Sequence, residues 1–502
     1  MNDTTNDALQ NKLTAALNLQ QNQQVEAAMQ LFQEILTDHP LQPDALHGLG
    51  MVYVQQGNFE QAVPYLQQAV NIAPNIPEFH NNLANSFKAI GNTELAIRHY
   101  LQALGLKPNY AEAYNNLGAL YYRLGQYEAA ADYFQKSLRL NPQALDTHYN
   151  IANCYIQLDR YLDAAVHYRM VLNVHPDHLG ALHNLGITLC FLKQFSEAQP
   201  LLEQVIKREP NNLDALYHLG IIYSALGNSA QAKSCYERVL ALDPQHANTH
   251  HNLATLYLQQ NDTQQALMHY QTALQLNPYN KTAQHMIDAL MHQTRPEGAP
   301  LEYTAALFDQ YAYNYDSHVK DKLHYQVPQL LREMITPFVQ STSTLDAVDL
   351  GCGTGLCAPL FADIVGKFIG VDISANMIAV AKAKGGYDKL VVSDLFSFLA
   401  TVSEQFDLII SADVFVYFGS LSDIFSACHR ALRSQGLWCF SIEITTLHDF
   451  ELRTTGRYAH APEYIHGLCQ SQQFRLEAEK TVTLRLQDNT PVLGNLYVLR
   501  KQ

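Results

Sequence analysis

Residues Val348–Gly355 read V-D-L-G-C-G-T-G. An apolar stretch, Leu345 to Leu350, runs into this glycine-rich turn, and the spacing predicts a strand, a sharp turn and a helix starting near Leu356. Glycines at 351, 353 and 355 let the backbone turn tightly and approach a ligand closely. Such a unit is the nucleotide-binding corner of a doubly wound α/β sheet.

The turn is G-x-G-x-G, not the G-x-G-x-x-G of dinucleotide sites. Asp349 stands two residues before Gly351. A carboxylate at the mouth of the crevice repels a pyrophosphate and suits a ligand bearing an ammonium and a sulfonium. S-adenosylmethionine has both and no phosphate. Asp372 ends the next apolar stretch, 21 residues after Gly351, where an acid bonds ribose hydroxyls. Met377 is placed to pack on an adenine, and Asp394, in V-V-S-D-L, to accept from its amino group.

Strand and helix patterns continue to alternate through Ile442, which predicts five parallel strands with right-handed crossovers. A helix near Pro462–Gln472 and two long strands, Arg475–Leu486 and Val492–Arg500, close the chain. Parallel units followed by a hairpin, behind these three acids, resemble the class I S-adenosylmethionine-dependent methyltransferases from about Phe308 to Lys501. The resemblance implies a Rossmann-like domain that binds S-adenosylmethionine through Asp349, Gly351, Gly353, Gly355, Asp372, Met377 and Asp394. The run F-D-Q-Y-A-Y-N-Y-D over Phe308–Asp316 is similar to the lid segment of many small-molecule members, which marks Tyr311 and Tyr315. Asp413 and Tyr417, in S-A-D-V-F-V-Y after the fourth strand, would orient or deprotonate the methyl acceptor. The N-P-P-Y or D-P-P-Y tetrad of amino-group methyltransferases is absent there. Glu443 and the run Arg457–His460 are further pocket candidates, with a structural role equally open.

The first 294 residues are periodic. Prolines fall at 40, 74, 108, 142, 176, 210, 244 and 278, and alanines twelve residues before each. A period of 34 signals stacked helix–turn–helix units. In one unit, Leu117, Gly118 and Tyr121 share a helix face, Gly125 ends that helix, and Ala130 and Phe134 lie on the next. These residues resemble the tetratricopeptide repeat, in eight copies from about Leu9 to Asn280, with Lys281–His292 as a capping helix. The first copy is the least regular and has no terminating Gly. The implied architecture is an all-α superhelix (1–294), a linker (295–300) and the methyltransferase domain (301–502). Asparagine recurs just before the first-helix Leu/Ile at Asn82, Asn116, Asn150, Asn184 and Asn252. Asn is a poor interior helix residue. The series resembles the asparagine ladder of the nucleocytoplasmic O-GlcNAc transferases, which implies a groove that grips a peptide backbone. Descent from one ancestral repeat accounts for it equally simply.

A formal net charge of −15 argues against nucleic acid and anionic membranes as partners. The start M-N-D-T-T-N-D has no basic or apolar signal region, and the eight cysteines show no C-x-x-C pairing, so a cytoplasmic protein with reduced thiols and no metal site is expected. Sixteen of the 22 histidines precede residue 294 and are expected to be groove or surface residues. The reading that follows is a methyltransferase whose repeats recruit a protein or peptide. Two rivals stay open: a small-molecule methyltransferase that uses its repeats for assembly, and a scaffold whose α/β domain no longer catalyses.

Overall fold

The computed structural model describes residues 2–291, 296–312, 315–317, 319, 323–339, 344–447, 449–487 and 490–502. The chain forms two compact units, Met1–Leu242 and Asp243–Gln502.

The first unit holds seven antiparallel helix pairs, of which Ala111–Arg123 and Tyr127–Leu140 are typical. The alanine that marks each second helix is fully buried throughout the unit, at 28, 62, 96, 130, 164, 198 and 232. Gly118 explains the small residue on the first helix: a Cβ there would stand 2.9 Å from the Phe134 ring. The turn between the helices requires a left-handed residue. Gly57, Gly91, Gly125 and Gly227 supply it, and Asp159 and Lys193 adopt the same positive φ. The first repeat, which has no Gly to signal its turn, uses Gln23 at φ 59°.

The recurrent asparagines reach back into the preceding repeat. Asn82 Nδ2 meets His47 Nε2 at 2.9 Å, Asn116 Nδ2 donates to Asn81 Oδ1 at 3.2 Å, and Asn184 Nδ2 donates to Asn153 Oδ1 at 3.0 Å. All five positions, including Asn150 and Asn252, are half-buried. The histidines have a structural logic that their sequence positions did not disclose. His80 Nε2 lies 2.9 Å from the Pro74 carbonyl, which can only accept, so that nitrogen carries the proton. In the neutral ring Nδ1 is then an acceptor, filled by His99 Nδ1–H at 3.0 Å. His148, His167 and the Pro142 carbonyl repeat the arrangement.

The second unit begins with the eighth helix pair, Ala247–Gln259 and Thr263–Leu276, and the helix Lys281–Met291. Its sheet contains β1 (Leu345–Leu350), β2 (Val365–Asp372), β3 (Lys389–Val392), β4 (Phe406–Ser411), β5 (Leu432–Glu443), β8 (Phe474–Gln487) and β9 (Thr490–Lys501). The order is β3-β2-β1-β4-β5-β9-β8. The first five strands are parallel, and β9 runs antiparallel to both β5 and β8. The expected Rossmann-like sheet with a closing hairpin is therefore present.

Three features differ from the sequence reading. The helix after the glycine turn is a single turn, Ala358–Phe361, because only seven residues separate Cys357 from β2. A small hairpin, β6 (Phe450–Leu452) and β7 (Tyr458–His460), fills the polar stretch before the helix Pro462–Ser471. The linker's first residue, Arg295, lies outside the described residues, but its remainder is not a free connector. Gly298 bridges Phe418, Ala299 N–H donates to Tyr417 O at 2.9 Å, and Gly419 N–H donates to Glu297 O at 2.8 Å. All eight cysteines are buried and unpaired. No described helix is long and apolar enough to cross a membrane.

A left-handed conformation costs a residue with a Cβ about 1 kcal/mol or more. Gln23→Gly should therefore raise the melting temperature, by roughly a degree or two for a unit of this size; a lower value would show that the turn is not strained. Burial pushes His47, His99, His167 and His218 down to about 4 from 6.5. The unfolded chain then binds more protons, so the stability these groups give is complete above pH 6.5 and lost as pH falls toward 4. Thermal melts should report a clearly less stable repeat array at pH 5 than at pH 7.5. Equal melts at the two values would contradict the burial of these four rings in their neutral form.

Candidate functional site

The strand order reverses between β1 and β4, and a crevice opens at the carboxyl ends of the strands there. It is a cavity of about 410 Å³. Gly351 enters it after β1, Asp372 at the end of β2, Asp394 after β3, and Asp413 and Tyr417 after β4. Phe308 and Tyr315 cover it from the segment before the sheet.

The glycines of the opening motif have separate tasks. At Gly351 a Cβ would stand 2.6 Å from the Val414 side chain, so the chain can pass beneath the β4 loop only without one. At Gly353, φ is 52° and nothing lies within 4 Å of where a Cβ would stand. That space belongs to the cavity, and a side chain would fill it. Gly355 is absent from the cavity lining and packs against Tyr387 and Ala381.

Asp372 organises the crevice. Its Oδ2 accepts from Gly353 N–H and its Oδ1 from Ser374 N–H, both at 2.8 Å. Burial pushes its carboxyl up to about 6 against these bonds. Ser374 Oγ donates in turn to Asp309 Oδ1 at 2.5 Å, and Thr354 Oγ1 to Asp316 Oδ1 at 2.5 Å. Lys384 also pairs with Asp316. The two acids of the F-D-Q-Y-A-Y-N-Y-D run thus fasten the covering segment to the loops after β1 and β2. Sequence reading singled out the run's tyrosines instead. Tyr315 does line the cavity, while the Tyr311 side chain lies outside the described residues. Phe308, which the reading passed over, packs edge-on to Tyr417 at 5.3 Å.

Asp394 lines the cavity and caps the helix Leu395–Leu399 through Ser397 N–H at 2.9 Å. Burial works to raise its pKa, but the bonds from Ser397 and from the backbone N–H groups at the start of that helix together outweigh it, and the net shift is downward. Met377 is fully buried in the packing of its helix and is not among the lining residues. Asp349, read from sequence as lying at the mouth, is completely buried behind the wall. Tyr387 Oη donates to its Oδ2 at 2.7 Å, and its Oδ1 has no hydrogen-bond partner among the described residues.

The wall after β4 is held by a buried ionic cluster. Asp413 has φ 59°, an uncommon backbone for a residue with a side chain. Its N–H donates to Ser441 Oγ at 2.8 Å, and both its oxygens accept from Arg485 Nη1 at 3.1 Å. Arg485, 3% exposed, also pairs with Glu443. Arg453 reaches Glu443 at 3.1 Å, and Arg457 Nη2 donates to Tyr417 Oη at 3.0 Å. Both arginines come from the turn of the β6–β7 hairpin, so Glu443 and Arg457 are joined to the site, while His460 Nε2–H donates to the Gly419 carbonyl at 3.0 Å, since a carbonyl can only accept. Removing one member of such a buried cluster leaves an uncompensated charge, at a cost of about 3–5 kcal/mol.

The described lining residues include five carboxylates, Glu297, Asp372, Asp394, Asp413 and Asp423, and no Lys, Arg or His. Such a lining favours a cationic ligand and opposes a phosphate.

Burial pushes Asp349 up to about 7 from 3.8, opposed by the Tyr387 bond. A raised carboxyl holds its proton more tightly in the folded chain, so its contribution to stability is complete below about pH 4 and is lost as pH rises through 7. Asp349→Asn removes that loss, and its melting temperature should exceed that of the unaltered protein at pH 8 but not at pH 4. A large drop at pH 8 would mean that the ionised form is stabilised where it lies.

Parts of the chain are similar to known proteins. A family model described as a methyltransferase domain matches residues 348–440. Tetratricopeptide-repeat models match 23–75, 84–125, 111–143, 143–211 and 211–278. The malonyl-acyl-carrier-protein O-methyltransferase of Acetivibrio thermocellus is 29% identical over 136 residues, which is 27% of this chain and 47% of that protein. Its counterpart in Priestia megaterium is 30% identical over 138 residues, 27% of this chain and 48% of that one. The chain spans about half the length of these relatives. Among solved structures, YrrB, described as a repeat protein with an unusual peptide-binding site, is 24% identical over 37% of this chain and 96% of its own, with a TM-score of 0.34. The chain is a tetratricopeptide-repeat protein that carries a methyltransferase domain.

Proposed function

We infer that the cavity binds S-adenosylmethionine and that the domain transfers its methyl group to an acceptor brought by a protein or peptide partner of the repeats. The observation that carries this reading is the acid-lined cavity with an open glycine cradle at Gly353. When bound, the cofactor supplies a sulfonium methyl group for in-line displacement. The chain's own residues position the reactants and exclude water, which can account for most of the acceleration. Asp372 offers its remaining lone pairs to ribose hydroxyls, and Asp394 accepts from the adenine amino group. Phe308 and Tyr315 close the site over the cofactor.

Asp413 acts as an orienting group, since Arg485 engages both its oxygens. Tyr417 accepts from Arg457, which leaves its own hydroxyl hydrogen to donate to the acceptor. The names of the relatives favour oxygen as the methylated atom. They also describe an acyl group carried on a protein, which reconciles a small acceptor with a protein-binding array. In the groove, Asn82 and Asn116 use Nδ2 on the preceding repeat, so Oδ1 is the atom that would meet a peptide N–H.

Calorimetry should detect S-adenosylmethionine binding, weakened at least about tenfold by Asp372→Ala; unchanged affinity sinks the site assignment. With a methyl-labelled cofactor and a cell lysate, label should appear on a protein band. Label confined to small metabolites would favour the rival in which the repeats serve assembly.

A further inference from the structure

The repeats provide their own control for what each surface position ordinarily carries. On the helix Tyr161–Val174, the outward residues Leu162, Val166, Met170 and Val174 recur at intervals of four and are 67%, 50%, 47% and 54% exposed. One period earlier the residues equivalent to the first three are Glu128, Asp132 and Lys136; two periods earlier they are Glu94, Arg98 and Gln102. No other repeat has apolar side chains at more than one of these three positions. Helix stability does not ask for this stripe, since the helix already buries Ala164, Ala165, Tyr168 and Val171 on its other face. A contiguous exposed apolar ridge of this kind marks an interaction surface.

We propose that the occupant is a second copy of this chain, packed antiparallel across the same helix. Residues at i, i+4, i+8 and i+12 form the ridge that interdigitates with an identical ridge in helix packing. A two-fold axis between Val166 and Met170 sets Val166 against the partner copy's Met170, and Leu162 against its Val174. Every contact is made twice, as two-fold symmetry requires.

The polar residues on the face select this direction. Asp163 and Asn173 are both exposed, and antiparallel packing sets each against the other, carboxylate to amide. Parallel packing would instead set Asp163, together with the Arg160 it pairs with at 2.7 Å, against its own copy and leave Asn173 facing another amide rather than a carboxylate. The preceding outer helix, Tyr127–Leu140, is compatible with the same arrangement. It carries Glu128 and Asp132 in its first half and Lys136 and Arg139 in its second, so reversal brings acid against base.

Sedimentation or light scattering of the full-length protein over a concentration series tests this. The expected species has twice the chain mass of 56.5 kDa. Val166→Glu alone and Met170→Lys alone should each weaken self-association at least about tenfold, with circular dichroism unchanged because both positions are exposed. The double variant Val166→Glu/Met170→Lys should dimerise again, since each new acid faces a new base of the other copy. A monomer at every concentration overturns the proposal, and so does a dimer indifferent to Val166→Glu. A double variant that stays monomeric overturns the antiparallel pairing.

Discussion

Two backbone N–H groups, those of Gly353 and Ser374, point at the carboxylate of Asp372. Hydrogen bonds to a charged group contribute about 1.5–3 kcal/mol each, and these two hold the ends of β1 and β2 in register at the crevice. The chain of bonds does not stop there. Ser374 caps its own helix at Met377 N–H and donates to Asp309, so the covering segment is fastened through the same residue. The Gly353 backbone therefore depends on an acid 19 positions later, and the cover on an acid 63 positions before that one.

The second determinant is the cluster of Asp413, Glu443, Arg453, Arg457 and Arg485, which sets the opposite wall. Its members come from the loop after β4, the end of β5, the β6–β7 hairpin and β8. The same hairpin also meets the helix Lys281–Met291. His285 Nε2 lies 3.0 Å from the Gly456 carbonyl, and Ala289 packs with Leu452 and Tyr458. One edge of the hairpin thus touches the end of the repeat array, while its arginines reach Tyr417 and Glu443.

Much of this was legible in the sequence because it is local or periodic. The 34-residue period exposes the repeats, and the strand–glycine corner exposes the sheet. Asp372, Asp394 and Asp413 could be placed because each follows a recognisable apolar strand. Asp349 and Met377 could not. Both strands and helices next to a doubly covered sheet are apolar on several sides, so nothing in the pattern says whether a polar or flexible residue faces the crevice or the packing behind it. The first repeat's turn at Gln23 escaped notice because a left-handed residue need not be Gly. Long-range pairings were out of reach altogether: Gly298 meets Phe418 across 120 residues of chain, and neither segment has strand-like alternation.

The pairing of 297–299 with 417–420 sets how this protein can change. Residues that precede the sheet in sequence supply one rim of its cavity, so the methyltransferase domain is not a cassette to be lifted out at the apparent end of the helices. A fragment beginning at Leu301 would lose Glu297, Gly298 and Ala299 from the lining and leave the Tyr417 and Phe418 backbone unpaired. The compact unit around the sheet includes the last repeat and nothing before it. The lining of the crevice is drawn wholly from residues 297–423, inside that unit, so a shortened chain that keeps the crevice whole must begin before Glu297.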